Sequence, residues 1–358
     1  MKKNNLKLII VVILAVVALY FIYSATSGTI PKALTDFAVK DTSIVTKIFL
    51  TDKSNNKVLL EKKAPQNWSV NNTYTASNEM INIMLKTIMR LEVKAPVAKA
   101  ARNNVIKRLA SSGVKVEIYQ TVFRIDFWKI QLFPYEKLVK TYYVGDATQD
   151  NMGTYMLIQD SDEPFIMHIP AFRGFLNTRY STIANDWRNH TIYNFEISQI
   201  KSVKLEFPST PEKSFLINNV AKDKFTLTSL SNNQLVPNYD TLKLFDYLTA
   251  FRDVKFEFII EKNSNVNINQ DSILASSPFN IITLTEMSGK TNILKTYHKK
   301  GYPDETGLDD IVGIYDKDRL FASINDGKDF VIIQFFVFDN ILRPLSYFVN
   351  TYNVKKIH

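Results

Sequence analysis

The residues Ser288-Gly289-Lys290-Thr291 contain the Gly-Lys-Thr end of a phosphate-binding loop. That chemistry needs a further glycine upstream, so that successive backbone amides can close around a phosphate. The upstream glycine is missing, and the flanking residues alternate as in a hairpin, so the spacing predicts a turn. A second acidic stretch, Asp304-Glu305-Thr306-Gly307-Leu308-Asp309-Asp310, has carboxylates that a calcium ion would accept. Calcium takes about six to eight oxygens from a loop of defined spacing. The alternating Asp/Asn positions of such a loop are absent, which predicts a solvated segment. The four histidines, His168, His190, His298 and His358, are scattered, and none forms a His-x-x-x-His pair. His168 sits among Ile166, Met167 and Ile169, which suits a hydrogen-bonded structural side chain.

Cysteine is absent, which removes thiolate metal sites, iron–sulfur clusters, thiol nucleophiles and disulfides. No Gly-x-Ser-x-Gly elbow occurs. Carboxylate pairs for acid–base work come from positions distant in sequence, and nothing singles one out. The reading therefore assigns no catalytic residue, no metal ligand and no cofactor.

One segment, 145–188, is denser in special residues than the rest. It holds Gly145, Gly153, Pro164, Pro170 and Gly174, which suggest tight turns. Arg173, Arg179 and Arg188 offer guanidinium forks for carboxylate or phosphate, and Phe172, Tyr180 and Trp187 offer flat surfaces. Arg173, Arg179, Tyr180, Trp187 and Arg188 form a candidate interaction surface. The same residues also suit a seam that stitches two domains together, with Asp186 and Arg188 in local ion pairs.

The elements that must position these residues read as short strands with few helices. Strands are expected around Ile48-Phe49-Leu50, Val58-Leu59-Leu60 and Trp68-Ser69-Val70. A helix follows, with Ser77 as cap and Met80, Ile81, Met84, Leu85, Ile88 and Leu91 at helical spacing. The order then returns: strands near Val203, Leu216 and Thr226, and a helix capped by Asp240 carrying Leu242, Phe245, Leu248 and Phe251. Hairpins are expected near Tyr155 and Phe165, and again near Leu320 and Phe330. The 358 residues are 46% hydrophobic and 22% charged, a globular composition. The expected class is α+β: an N-terminal transmembrane helix, then two similar tandem domains, each a mostly antiparallel sheet with a helix packed on one face. The expected division is 1–28 for the cytoplasmic tip and anchor, 29–40 for a linker, 41–192 for the first domain and 193–358 for the second.

Location comes from the first residues. Lys2, Lys3 and Lys7 precede an unbroken apolar run over residues 8–23, which Ser24 and Ala25 extend without a charge. From Leu8 to Ala25 a helix rising ~1.5 Å per residue would span about 27 Å, close to the hydrocarbon core of a bilayer. The run is longer than the core of a cleaved signal peptide, so an uncleaved single-pass anchor is expected. The lysines precede it, which keeps the N-terminus in the cytoplasm and puts the body outside. The formal charge is +9, and the three N-terminal lysines account for part of it. The remaining mild excess, with no basic–aromatic cluster, argues against a nucleic-acid partner.

Several of these residues carry a resemblance. The segment from Tyr142-Tyr143-Val144-Gly145 to Asp186-Trp187-Arg188 resembles the bacterial family known as domain of unknown function 4340. So do Trp68-Ser69-Val70-Asn71, Met84-Leu85, Leu91, Pro96-Val97 and Gly113-Val114. The resemblance implies a membrane-anchored bacterial envelope protein, similar in setting to auxiliary proteins of gliding-motility-type ABC transporters. It transfers no activity and no catalytic residue. It also implies a bacterial group that O-glycosylates exported proteins at Asp-Ser/Thr-aliphatic tripeptides, which makes Thr241 and Ser272 candidate modification sites.

The expected function is thus a non-catalytic envelope protein of the inner membrane. Its partners would be the lipid bilayer, through the N-terminal helix, and an envelope membrane protein or complex. The alternative is an anchored enzyme or binder acting on envelope carbohydrate or peptide.

Overall fold

The computed structural model describes residues 13–18, 35–127, 130–221, 224–261, 268–301 and 315–349. Residues 13–18 are helical. The ends expected for the membrane span, Leu8 and Ala25, lie outside the described residues, as do the acidic stretch 304–310 and His358. Among the described residues no helix is long and apolar enough to cross a membrane.

The chain divides into two compact units, Met1–Asn189 and His190–His358, three residues before the division expected at 192/193. Both are built mainly from antiparallel sheet with few helices. The first unit contains β1 (Val45–Thr51), β2 (Lys57–Ala64), β3 (Asn67–Val70), β4 (Tyr74–Thr75), β5 (Glu92–Pro96), β6 (Val114–Phe127), β7 (Ile130–Ala147), β8 (Thr154–Ile158) and β9 (Phe165–His168). They form one nine-stranded sheet in the order β4-β3-β2-β1-β6-β7-β8-β9-β5. Two helices, α1 (Asn78–Arg90) and α2 (Lys99–Ser112), interrupt the strands.

Alternation explains the sheet. Ile48 and Leu50 of β1, Val58 and Leu60 of β2, Val116 and Ile118 of β6, and Tyr142 and Val144 of β7 all point to one buried face. Helix α1 lays Ile81, Met84 and Ile88 on that face. Ser77 starts it, its hydroxyl accepting from the Met80 amide at 3.4 Å, a cap of a kind worth about 1 kcal/mol. The intervening strand residues Tyr143, Tyr155, Leu157 and Ile166 point the other way, and α2 covers them with Val105 and Leu109. Each side chain removed from water in these layers contributes about 1.5–3 kcal/mol.

The second unit contains β10 (Thr191–Tyr193), β11 (Ile200–Glu206), β12 (Phe215–Ala221), β13 (Lys224–Ser229), β14 (Val254–Lys255), β15 (Phe258–Ile259), β16 (Asn280–Glu286), β17 (Thr291–Lys300), β18 (Tyr315–Ile324) and β19 (Asp329–Gln334). Its helices are α3 (Thr241–Thr249), α4 (Gln270–Ala275) and the single turn α5 (Phe335–Phe338). Its main sheet runs β13-β12-β11-β16-β17-β18-β19-β15, and β10 pairs with β14 apart from it. Set beside β3-β2-β1-β6-β7-β8-β9-β5, this is the same strand order, position for position. The helices fall at the same points in the chain. Helix α3 buries Leu244, Tyr247 and Leu248 against one face, and α4 sets Ile273 and Leu274 against Tyr297, Phe321 and Phe330 on the other.

Three expectations change here. Each sheet bears helices on both faces rather than one, because the strand residues of the second face are apolar too and need their own cover. The stretch 29–40 is not wholly a linker: Phe37 and Val39 are buried in the first unit's core, and the Val39 amide donates to Ile88 O at 3.2 Å. The hairpin expected near Leu320 and Phe330 is present as β18 and β19, but its second strand stops at Gln334 and turns into α5 at Phe335.

One feature of the first unit was not foreseen. The pairing of β6 with β7 runs from Val114–Val144 out to Phe127–Ile130. Their outer neighbours stop early: β1 pairs with β6 no further than Gln120, and β8 with β7 no further than Tyr142. Residues 122–127 and 130–138 therefore run beyond these neighbours as a two-stranded ribbon.

Candidate functional site

The segment 145–188 closes one end of the first unit. Gly145 lies inside β7 rather than in a turn. A Cβ there would meet Leu109 Cδ2 at 2.7 Å and Tyr155 O at 3.3 Å, so the glycine admits α2 to the sheet. Beyond β9 the chain makes two short 3-10 turns, Asn177–Arg179 and Ala184–Trp187. Between them Tyr180 drops into the core, where its hydroxyl meets that of Tyr142 at 3.3 Å and the rings stand edge to face. Burial pushes the Tyr180 phenol up to about 12, and burial with the neighbouring phenol pushes Tyr142 well above its ordinary value.

Trp187 is buried, and its indole donates to Ser181 O at 2.9 Å. Its own carbonyl accepts from the Ser77 amide at 2.7 Å, and the Asn189 amide donates to Thr75 O at 2.9 Å. Arg188 is also buried, with its guanidinium 3.6 Å over the Tyr74 ring. Arg179 is half-buried, donating to Thr87 Oγ1 at 2.8 Å and lying 4.4 Å over the Phe172 ring. Thr182 donates to Asp52 Oδ2 at 2.7 Å. Burial opposes ionisation of Asp52, but hydrogen bonds from Asn56 and Thr182 hold its carboxyl below the usual range.

The interaction surface expected from these residues is thereby corrected. Tyr180, Trp187 and Arg188 have no face to offer a partner, because the first unit uses them as its own closing layer. The bonds just described all join residues of that unit. Arg173 is the exposed member of the five.

The other residues singled out in the sequence lie apart from this segment. Ser288 to Lys290 lie in the turn between β16 and β17 and Thr291 opens β17, with Gly289 at φ +89° and its amide donating to Glu286 O at 2.9 Å. His298 lies between Phe279 and Tyr315, at ring distances of 4.1 and 4.2 Å, and burial lowers its pKa. His190 stacks on Phe256, and His168 lies in β9 opposite Glu92. Among the described residues no group of three His, Asp or Glu side chains converges as a metal site would. Thr241 and Ser272 are exposed in the first turns of α3 and α4.

A concave site that the sequence did not reveal lies in the second unit. Its volume is about 690 Å³, and Phe195, Val220, Phe225, Phe245 and Met287 supply apolar walls. At its mouth Glu196 and Arg252 form an exposed ion pair. Toward its floor Asn219 donates through Nδ2 to Ile200 O at 3.3 Å, while its buried Oδ1 has no donor among the described residues. Apolar walls, one acceptor and a charge pair suit a small amphipathic group or an extended peptide. Glu196, Asn219 and Arg252 are distant in sequence and form no motif, so no spacing signals them. Comparison with protein-family models, with curated proteins and with solved structures yields no match for this chain.

Proposed function

We propose that the chain is a non-catalytic, single-pass membrane-anchored envelope protein whose strand-rich body acts outside the cytoplasm. There it serves as an interaction or accessory module for an ABC-type transporter or another membrane assembly. The observation that carries this reading is the helix at residues 13–18. Its Leu14 is 61% exposed and its Val16 59%, apolar surface that the described residues do not cover. In sequence it lies within the apolar run 8–23, behind Lys2, Lys3 and Lys7. A bilayer is the solvent that suits such a surface.

The matching strand orders support a body made of two similar tandem domains. At the edges of the main sheets β4 and β15 are only two residues long, whereas β5 is a five-residue edge strand that can take an added strand from a partner. The resemblance to the envelope family rests on the residues quoted for it and points to the same setting.

The test is extraction of the tagged full-length protein from its own membranes in mild detergent, with mass spectrometry of what co-purifies. Reproducible recovery of a transporter or envelope complex is expected. A clean monomer sinks the accessory reading.

The cleft beside Glu196 favours a second reading, an anchored binder or enzyme acting on envelope carbohydrate or peptide. Asn219 lines that cleft, and its buried Oδ1 has no donor among the described residues, a polar group in an otherwise apolar wall. Glycan and peptide screening of the full chain tests it. Binding lost on Thr249→Trp, which fills the cleft, is the supporting outcome, and binding unchanged by that substitution rejects the site.

A further inference from the structure

The ribbon formed by residues 122–127 and 130–138 has one wholly apolar face toward its tip. Phe123 stands opposite Pro134, Ile125 opposite Leu132, and Phe127 opposite Ile130. Directly opposed residues share a face, and residues two apart along a strand share it too. Phe123, Ile125, Phe127, Ile130, Leu132 and Pro134 therefore make one continuous apolar face. The reverse is mixed: Asp126 opposes Gln131, Val122 opposes Tyr135, and Phe133, at φ +58°, is 64% exposed beside them. Among the described residues nothing covers the apolar face at its tip: Phe127 is 73% exposed and Ile130 55%.

The root of the ribbon is tied to the N-terminal chain. Lys140, in β7, donates to Asp36 O and pairs with Asp36 Oδ2, both at 2.6 Å. Asp36 follows Ala25, the end of the apolar run, by eleven residues. That length of chain reaches at most about 36–40 Å. From Lys140 to Ile130 the ribbon extends ten residues, about 33 Å at ~3.3 Å per residue. The two lengths are comparable, so a ribbon directed at the bilayer reaches it wherever the connecting chain spans no more than about 33 Å.

Its charge suits that surface. Between Thr121 and Lys140 the sequence has Arg124, Lys129, Lys137 and Lys140 against Asp126 and Glu136. Glu136 is taken by Lys47 and Thr46. The surplus is positive, which anionic headgroups attract. A narrow projecting ribbon that carries bulky exposed apolar residues together with basic ones also suits the headgroup boundary, where apolar side chains sink in and cations meet the headgroups.

We propose that the apolar face of the β6–β7 ribbon lies in the interfacial layer of the same bilayer that the N-terminal segment enters, giving the first unit a second lipid contact. This rests on the anchored reading of residues 8–25. The occupant is lipid, and the ribbon holds the body close to the membrane surface.

The chain has no cysteine, so single cysteines carry a unique environment-sensitive fluorophore. Full-length Phe127→Cys, Ile130→Cys, Gln131→Cys and Leu242→Cys are labelled and reconstituted into vesicles of phosphatidylethanolamine and phosphatidylglycerol. All four sites are exposed, so the substitutions leave the core intact. The expected result is a blue shift and a severalfold rise in emission at 127 and 130, with quenching by nitroxide-bearing lipid. The labels at 131 and 242 should remain open to aqueous iodide. Flotation of the same vesicles reads the anchor independently. If the chain floats but the 127 and 130 labels stay in water, the ribbon inference fails and the anchor stands. If those labels are shielded from both iodide and nitroxide lipid, a second copy or another protein covers the face, and the inference again fails. If the chain does not float, both fail.

Discussion

The hydroxyls of Tyr142 and Tyr180 meet 3.3 Å apart in the core of the first unit, and both side chains are buried. One comes from a central strand and the other from the turns that close the sheet. Tyr180→Phe leaves the Tyr142 hydroxyl buried without this partner, which costs about 1–3 kcal/mol. Tyr142→Phe together with Tyr180→Phe removes both hydroxyls and should cost less than Tyr180→Phe alone. Urea denaturation of the two variants in detergent decides it. A double variant weaker than the single one would show that the pair does not matter as a pair.

Alkaline pH should act on the same groups. Tyr142, Tyr180, Tyr193 and Tyr247 are buried, and burial raises each above the ordinary phenol value of 10.0. A phenol whose folded pKa is raised contributes stability that is whole below that ordinary value. That stability is lost as pH rises through the folded pKa, about 12 for Tyr180, because the unfolded chain releases its protons first. Stability should therefore fall steeply above about pH 10, and tyrosinate absorbance should appear together with unfolding. Tyrosinate absorbance rising in a fully folded protein near the ordinary value would contradict the burial of these rings.

Trp187 and Arg173 should separate cleanly, although both belong to the same dense segment. Trp187 is buried with its indole bonded to Ser181 O, so Trp187→Ala should cost about 3–5 kcal/mol. Arg173 is exposed, and Arg173→Ala should stay within about 0.5 kcal/mol. Thermal denaturation compares them. Loss of a partner in Arg173→Ala would then be read as loss of contact, whereas the same loss in Trp187→Ala would be read as unfolding.

This contrast shows what sequence can carry. Alternation located the strands, since Ile48, Leu50, Val58, Leu60, Val116 and Ile118 need one apolar face, and side-chain caps located two helices at Ser77 and Asp240. Helix α2 escaped because it buries only Val105 and Leu109, and Ala98 gives it no side-chain cap. The direction of Trp187 and Tyr180 escaped because an aromatic cluster with arginines has the same composition on a surface as in a closing layer. The ribbon escaped because alternation records an apolar face without recording whether anything covers it. The cleft depends on Glu196, Asn219 and Arg252, which the fold alone brings together.

Gly145 supplies a direct test of how α2 docks. A methyl group there would sit 2.7 Å from Leu109 Cδ2 and 3.3 Å from Tyr155 O. The leucine is a flexible side chain and can turn aside, whereas the strand carbonyl cannot. Gly145→Ala should therefore destabilise the first unit by about 1–3 kcal/mol, the usual range for overpacking. Leu109→Ala alone leaves a cavity under the helix and should cost about 2–5 kcal/mol. Combined, the new methyl group fills part of the space that the leucine vacates, so the double variant should lose less than the two costs added together. Denaturation midpoints of the three variants measure the coupling, and strict additivity would mean that α2 does not approach the sheet at Gly145.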